Sequence, residues 1–91
     1  MTTDKPKTQA CHILTLINGE TEELMDLIEI KGFDLTKFCV QFDVPVESDP
    51  EMLDRYAVGP DDAQFVIDAI GVVIAFDFAK YAYFIEAAER H

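Results

Sequence analysis

The sequence predicts an α+β domain, an antiparallel sheet of about three to four strands with two helices packed on one face. Three observations lead there. A β-rich run from Cys11 to Ile17 ends at Asn18-Gly19, the kind of pair that favours a tight hairpin turn. Two later segments carry apolar residues at helical spacing, each opened by capping residues and stopped by Pro or Gly. The C-terminal stretch Tyr81 to Glu89 carries the aromatics Tyr81, Tyr83 and Phe84 and the β-branched Ile85. A chain of 91 residues is long enough for one such core and no more.

Taken in order, residues 1–9 show no hydrophobic period and read as a tail, leaving residues 10–91 as a single domain. In the first run Ile13, Thr15 and Ile17 alternate with His12, Leu14 and Leu16. Leu24 to Lys31 alternates imperfectly and would also allow a helix through Leu24, Leu27 and Ile28. The preceding Asn-Gly pair and the stop at Gly32 favour a second hairpin strand. Asp34 is placed to cap a short helix with Leu35, Phe38, Cys39 and Phe42 on one face, ended by Val44-Pro45. A long loop with Pro45 and Pro50 then runs from Asp43 to Gly59, and loops of that length inside a small domain are usually functional or partly disordered.

Gly59-Pro60-Asp61-Asp62 opens the second helix, with proline suited to the first turn and two carboxylates complementing the helix dipole. Its buried stripe is Phe65, Val66, Ala69 and Ile70, and Gly71 ends it. Val72 to Phe78 is expected to be extended. For Tyr81 to Glu89 the helical alternative through Phe78, Tyr81, Ala82, Ile85 and Ala88 is weaker than a strand.

Composition narrows the function classes. Apolar residues make up 49% of the chain and charged ones 27%, with a formal net charge of −11. That balance is globular, and so strong a negative charge repels phosphate and anionic lipid. Nucleic acid and membrane are therefore not expected partners, and a basic protein is. Met1 to Ala10 is polar and has no export-signal pattern, and the apolar runs are far shorter than the roughly 20 residues of a membrane span. A cytoplasmic location is the expectation, with Cys11 and Cys39 as reduced, buried thiols.

Enzymatic motifs do not assemble. The glycines stand singly at 19, 32, 59 and 71, so there is no phosphate-cradling loop. His12 and His91 are the two imidazoles, and Cys11 beside His12 on a strand would point to the opposite face, which disfavours a zinc site. Asp49, Glu51 and Asp54 lack the glycine and terminal glutamate of a calcium loop. Ser48 is the sole serine and is flanked by acids. The expectation is a protein that is not an enzyme and uses no cofactor or metal.

The acids are unevenly placed. Asp43, Glu47, Asp49, Glu51, Asp54, Asp61 and Asp62 lie within twenty residues whose only cation is Arg55. Glu20, Glu22 and Glu23 form a smaller cluster at the hairpin turn. A solvated surface that maintains solubility is one account of this, although solubility needs no particular location. The other is an interface. The loop also carries Met52, Leu53 and Tyr56, and tyrosine can anchor a contact while carboxylates around it meet Arg and Lys. Tyr56 packed into its own core is the competing role.

The stretch Leu53-Asp54-Arg55-Tyr56-Ala57-Val58-Gly59-Pro60-Asp61-Asp62, with Phe76-Asp77-Phe78 and Tyr83-Phe84-Ile85-Glu86, resembles a pattern in small bacterial proteins, some of which accompany polymorphic toxins. In size and acidity the chain resembles the immunity proteins (antitoxins) of contact-dependent growth-inhibition systems. This resemblance implies a cytoplasmic inhibitor, without catalytic residues, that neutralises a cognate toxin domain. Nuclease toxins need a cationic cleft to hold phosphates, and an acidic surface can occupy such a cleft. The expected partner-binding residues are Asp43, Glu47, Asp49, Glu51, Asp54, Tyr56, Asp61 and Asp62, with the Glu20–Glu23 cluster at the rim. Two rival readings are a nucleic-acid mimic that disarms a defence or DNA-binding protein, and a structural or oligomerisation domain.

Overall fold

The computed structural model describes residues 9–90. Strand β1 (Gln9–Asn18) is followed by β2 (Leu24–Glu29), helix α1 (Leu35–Gln41), β3 (Tyr56–Ala57), helix α2 (Ala63–Ile70) and β4 (Tyr81–Arg90). The four strands form one antiparallel sheet in the order β2-β1-β4-β3. Residues 1–8 of the expected tail lie outside the described residues, whereas Gln9 already pairs with Arg90 as the first residue of β1.

The centre of the sheet is the β1–β4 ladder, which is unbroken from Gln9↔Arg90 to Asn18↔Tyr81. Its alternation sorts the side chains. Leu14 faces its partners Ile28 and Ile85 across the strands, and all three belong to the inner face. Leu14, Tyr83 and Ile85 join Phe38 of α1 and Val66 of α2 in one buried cluster, so both helices cover the same side of the sheet. The helices are short because their signals are local. Asp34 accepts a hydrogen bond from the Lys37 amide as the N-cap of α1. Pro60 starts a 3-10 turn that runs into α2, and Gly71 ends α2 in the left-handed conformation at φ 86°. Phe38 is tilted against Phe33, stacked on Phe42 and edge-to-face with Phe65, and truncating so buried an aromatic to alanine costs about 3–5 kcal/mol.

Four expectations need correction. Val72 to Phe78 forms no strand; it runs as irregular chain over the core, with Val72 and Val73 exposed and Ile74, Phe76 and Phe78 packed against it. Its aromatics compensate: Phe76 and Phe78 both pack on Tyr83, whose hydroxyl accepts from the Asp77 amide. The Asp43–Gly59 loop is interrupted by β3, whose two residues pair with Ile85 and Phe84. The β1–β2 connection is longer than a two-residue turn: the Asn18 carboxamide accepts from the amides of Glu20 and Thr21, and Glu22 takes a positive φ of 62°. Finally, Cys11 and Cys39 are free thiols that are half-buried rather than buried, Cys11 because it falls on the outer sheet face. No helix among the described residues is long and apolar enough to cross a membrane.

Candidate functional site: a stapled acidic loop

The acidic segment from Asp43 to Asp62 leaves the end of α1, passes beneath the inner sheet face and returns through β3 to α2. Its carboxylates divide into two groups with different work. Asp49 and Asp62 are half-buried and hold the chain; Asp43, Glu47, Glu51, Asp54 and Asp61 are exposed.

Asp49 is the centre of the loop. One carboxylate oxygen accepts from the Leu53 amide at 2.7 Å, and the other accepts from the Asp54 amide at 3.1 Å and the Tyr56 hydroxyl at 2.6 Å. The Tyr56 bond is the main reason its carboxyl sits below the usual carboxylate range, with the Leu53 amide next. The same bond, followed by burial, pushes the Tyr56 phenol up to about 12. Each group stabilises the protonation state that the other requires. Asp62 does similar work, accepting from the Gln41 side-chain amide at 2.7 Å and from the Gly59 amide at 2.9 Å. It thereby ties the end of α1 to the start of α2.

A second staple comes from the sheet. His12 is buried on the same parity of β1 as Leu14, and its Nε2 donates to the Met52 carbonyl oxygen at 2.9 Å. Its ring lies parallel to Phe33 with centroids 3.8 Å apart. Met52 has a left-handed backbone, φ 54°, with a side chain that is 0% exposed. A bulky residue in that conformation is strained and persists only where its surroundings fix it. Burial of the thioether stem and the His12 bond are those constraints.

Of the eight expected partner-binding residues, the structure leaves Asp43, Glu47, Glu51, Asp54 and Asp61 exposed, with no side-chain hydrogen bond or ion pair among the described residues. Asp49, Asp62 and Tyr56 instead use their polar groups internally. Exposed Val46 and Leu53 lie among the free acids. Arg55 faces away from them: its guanidinium lies 3.8 Å over the Phe84 ring and its Nε is 3.5 Å from Glu86 on the outer sheet face. The loop's one cation is thus drawn off, and the loop surface is left more negative. His12's bond to the loop was not legible in the sequence, because Ile13 and Ile17 make the opposite parity of β1 as apolar as Leu14 and Leu16. Among the described residues no three of His, Cys, Asp or Glu are grouped to hold a metal ion.

Comparison with known proteins adds one match. A family model described as a domain of unknown function (DUF7683) covers residues 11–86, from the third residue of β1 to the sixth residue of β4. No curated protein and no solved structure matches the chain.

Proposed function

The chain belongs to the DUF7683 family, and we propose that it is a protein-binding inhibitor of the immunity type, using the stapled loop to engage the cationic cleft of a toxin domain, most simply a nuclease, in the cytoplasm. The observation that carries this reading is the division of labour among the acids. Asp49 and Asp62 fix the backbone, while Asp43, Glu47, Glu51, Asp54 and Asp61 project from it without internal partners. A loop that is ordered before it meets its partner loses less conformational entropy on binding. Carboxylates around exposed Val46 and Leu53 would speed encounter with a basic surface and leave apolar contact to slow dissociation.

The test is capture of partners from lysate of the source organism on immobilised protein, with stepwise salt elution. The expected result is one strongly basic protein released only at high salt, with a nuclease activity that the chain suppresses. Capture of a basic DNA-binding protein without nuclease activity would favour nucleic-acid mimicry instead. Absence of any cationic partner would overturn the reading.

A further inference from the structure

We infer that the outer face of the sheet is a second docking surface, and that its occupant is a cationic amphipathic helix of a partner protein. Both helices lie on the inner face, so among the described residues no helix covers the outer one. By register that face carries Ile13 and Ile17 of β1, Leu27 of β2, and Ala82 and Phe84 of β4, around a buried Thr15 that donates to Glu86, with Glu29 and Glu86 on either side of Ile13. Leu27 is 51% exposed and Met25, beside it in β2, is 50% exposed. A depression of about 320 Å³ runs over Ile17, Ala82 and Phe84, with Glu22 and Arg55 on its walls. An apolar sheet face next to water is stable when another layer covers it.

Charge selects the occupant. Glu20, Glu22 and Glu23 stand exposed at the hairpin end of this face, and between Gln9 and Ile30 the chain has no Lys or Arg. Arg55, whose guanidinium reaches the face, is already paired with Glu86 and the Phe84 ring. A second copy of the chain would bring a body of net charge −11 against another, with matching acidic rims in a two-fold contact. A strand added to the edge of β2 is also disfavoured. There the Leu27 amide, which faces away from β1, is occupied by the Asp26 carboxylate at 2.8 Å, a charged block of the kind that guards sheet edges. A helix with an apolar stripe and flanking Lys or Arg satisfies both the floor and the rim.

The experiment uses the intact chain and a labelled amphipathic Leu/Lys helical peptide of about four turns. A peptide of the same composition in scrambled order is the control, and binding is followed by anisotropy and by amide chemical shifts. The expected result is tight binding of the amphipathic peptide alone, with shifts at Ile13, Ile17, Leu27 and Phe84. The double variant Met25→Gln/Leu27→Gln, at exposed positions and with an unchanged melting curve, should bind at least about tenfold more weakly. Charge reversal at Glu47, Glu51 and Asp54, measured at high salt to screen the change in net charge, should leave the same residues shifted and weaken binding far less than Met25→Gln/Leu27→Gln, which separates the surface from the acidic loop. Equal affinity for the scrambled peptide, or shifts confined to Asp43–Asp62, would overturn the inference. So would a concentration-dependent dimer in sedimentation that Met25→Gln/Leu27→Gln dissolves, because a second copy would then be the occupant.

Discussion

The Nε2 of His12, in the middle of the sheet, donates to the carbonyl oxygen of Met52, forty residues away in the acidic loop, at 2.9 Å. This single bond joins the most regular part of the fold to its least regular part. It also satisfies a buried carbonyl at a residue whose backbone is left-handed. The imidazole thus selects the path of the loop as well as filling space beneath it.

Replacing His12 separates these roles. His12→Phe retains an aromatic against Phe33 but leaves the Met52 carbonyl without its donor, and should destabilise the fold by about 1–3 kcal/mol. His12→Ala also removes the ring stacked at 3.8 Å and should cost more, about 3–5 kcal/mol. Urea unfolding of both variants gives the comparison. Equal midpoints for His12→Phe and the parent chain would show that the bond contributes nothing.

The Asp49–Tyr56 pair makes stability fall at both ends of the pH scale. Asp49 has a lowered folded-state pKa, chiefly through the Tyr56 hydroxyl. Its contribution is full above the unfolded value near 3.9 and is lost as pH falls through the folded value. Tyr56 is shifted the other way, to about 12. Its contribution is full below the unfolded value near 10 and is lost as pH rises through the folded one. Tyr56→Phe should remove the alkaline loss, return the Asp49 carboxyl toward its ordinary range and flatten part of the acid loss. Carboxyl-carbon NMR titration of Asp49 and melting curves across pH read these effects. An unmoved Asp49 titration in Tyr56→Phe would show that the hydroxyl is not the group that lowers it.

How much of this was legible in the sequence depends on the range of the signal. Asp34 as N-cap, Pro60 in the first turn and Gly71 as terminator were all readable, because each acts within a few residues of itself. The sheet partners of Tyr81–Arg90 were not. A ten-residue aromatic run suits a strand or a helix until a partner of equal length, here β1, is known. In the loop, charge could be counted but not sorted. Asp49 and Glu51 differ in function because three donors happen to converge on one and not the other. Val72 to Phe78 has strand composition, yet it pairs with no strand and is held instead by Phe76 and Phe78 packing on Tyr83.

Gly32 marks where β2 hands over to the helices. Its amide donates to the Ala69 carbonyl oxygen of α2 at 3.0 Å, and a Cβ there would lie 2.4 Å from that same oxygen. Because the obstacle is backbone, a side chain cannot move aside to relieve it. Gly32→Ala should force α2 away from the end of β2 and destabilise the protein by about 1–3 kcal/mol. Thermal or urea unfolding measures this, and a neutral substitution would mean that α2 shifts freely on the sheet.

Charge reversal distinguishes the two groups of acids in the loop. Glu47, Glu51 and Asp54 are exposed, and their side chains hold no part of the loop, so Glu47→Lys/Glu51→Lys/Asp54→Lys should change stability by no more than about 0.5 kcal/mol. Asp49→Lys replaces an acceptor of three hydrogen bonds with a donor, and should lower stability and loosen the loop. Against the basic partner recovered by capture, the triple variant should associate about ten- to a hundred-fold more slowly at low salt. The gap should narrow as salt rises, because screening removes the attraction that the parent chain has and the variant lacks. Stopped-flow association at several ionic strengths provides the slopes. Parallel salt dependences for parent and variant would take the loop out of the interface, and the contact would then have to lie elsewhere on the molecule.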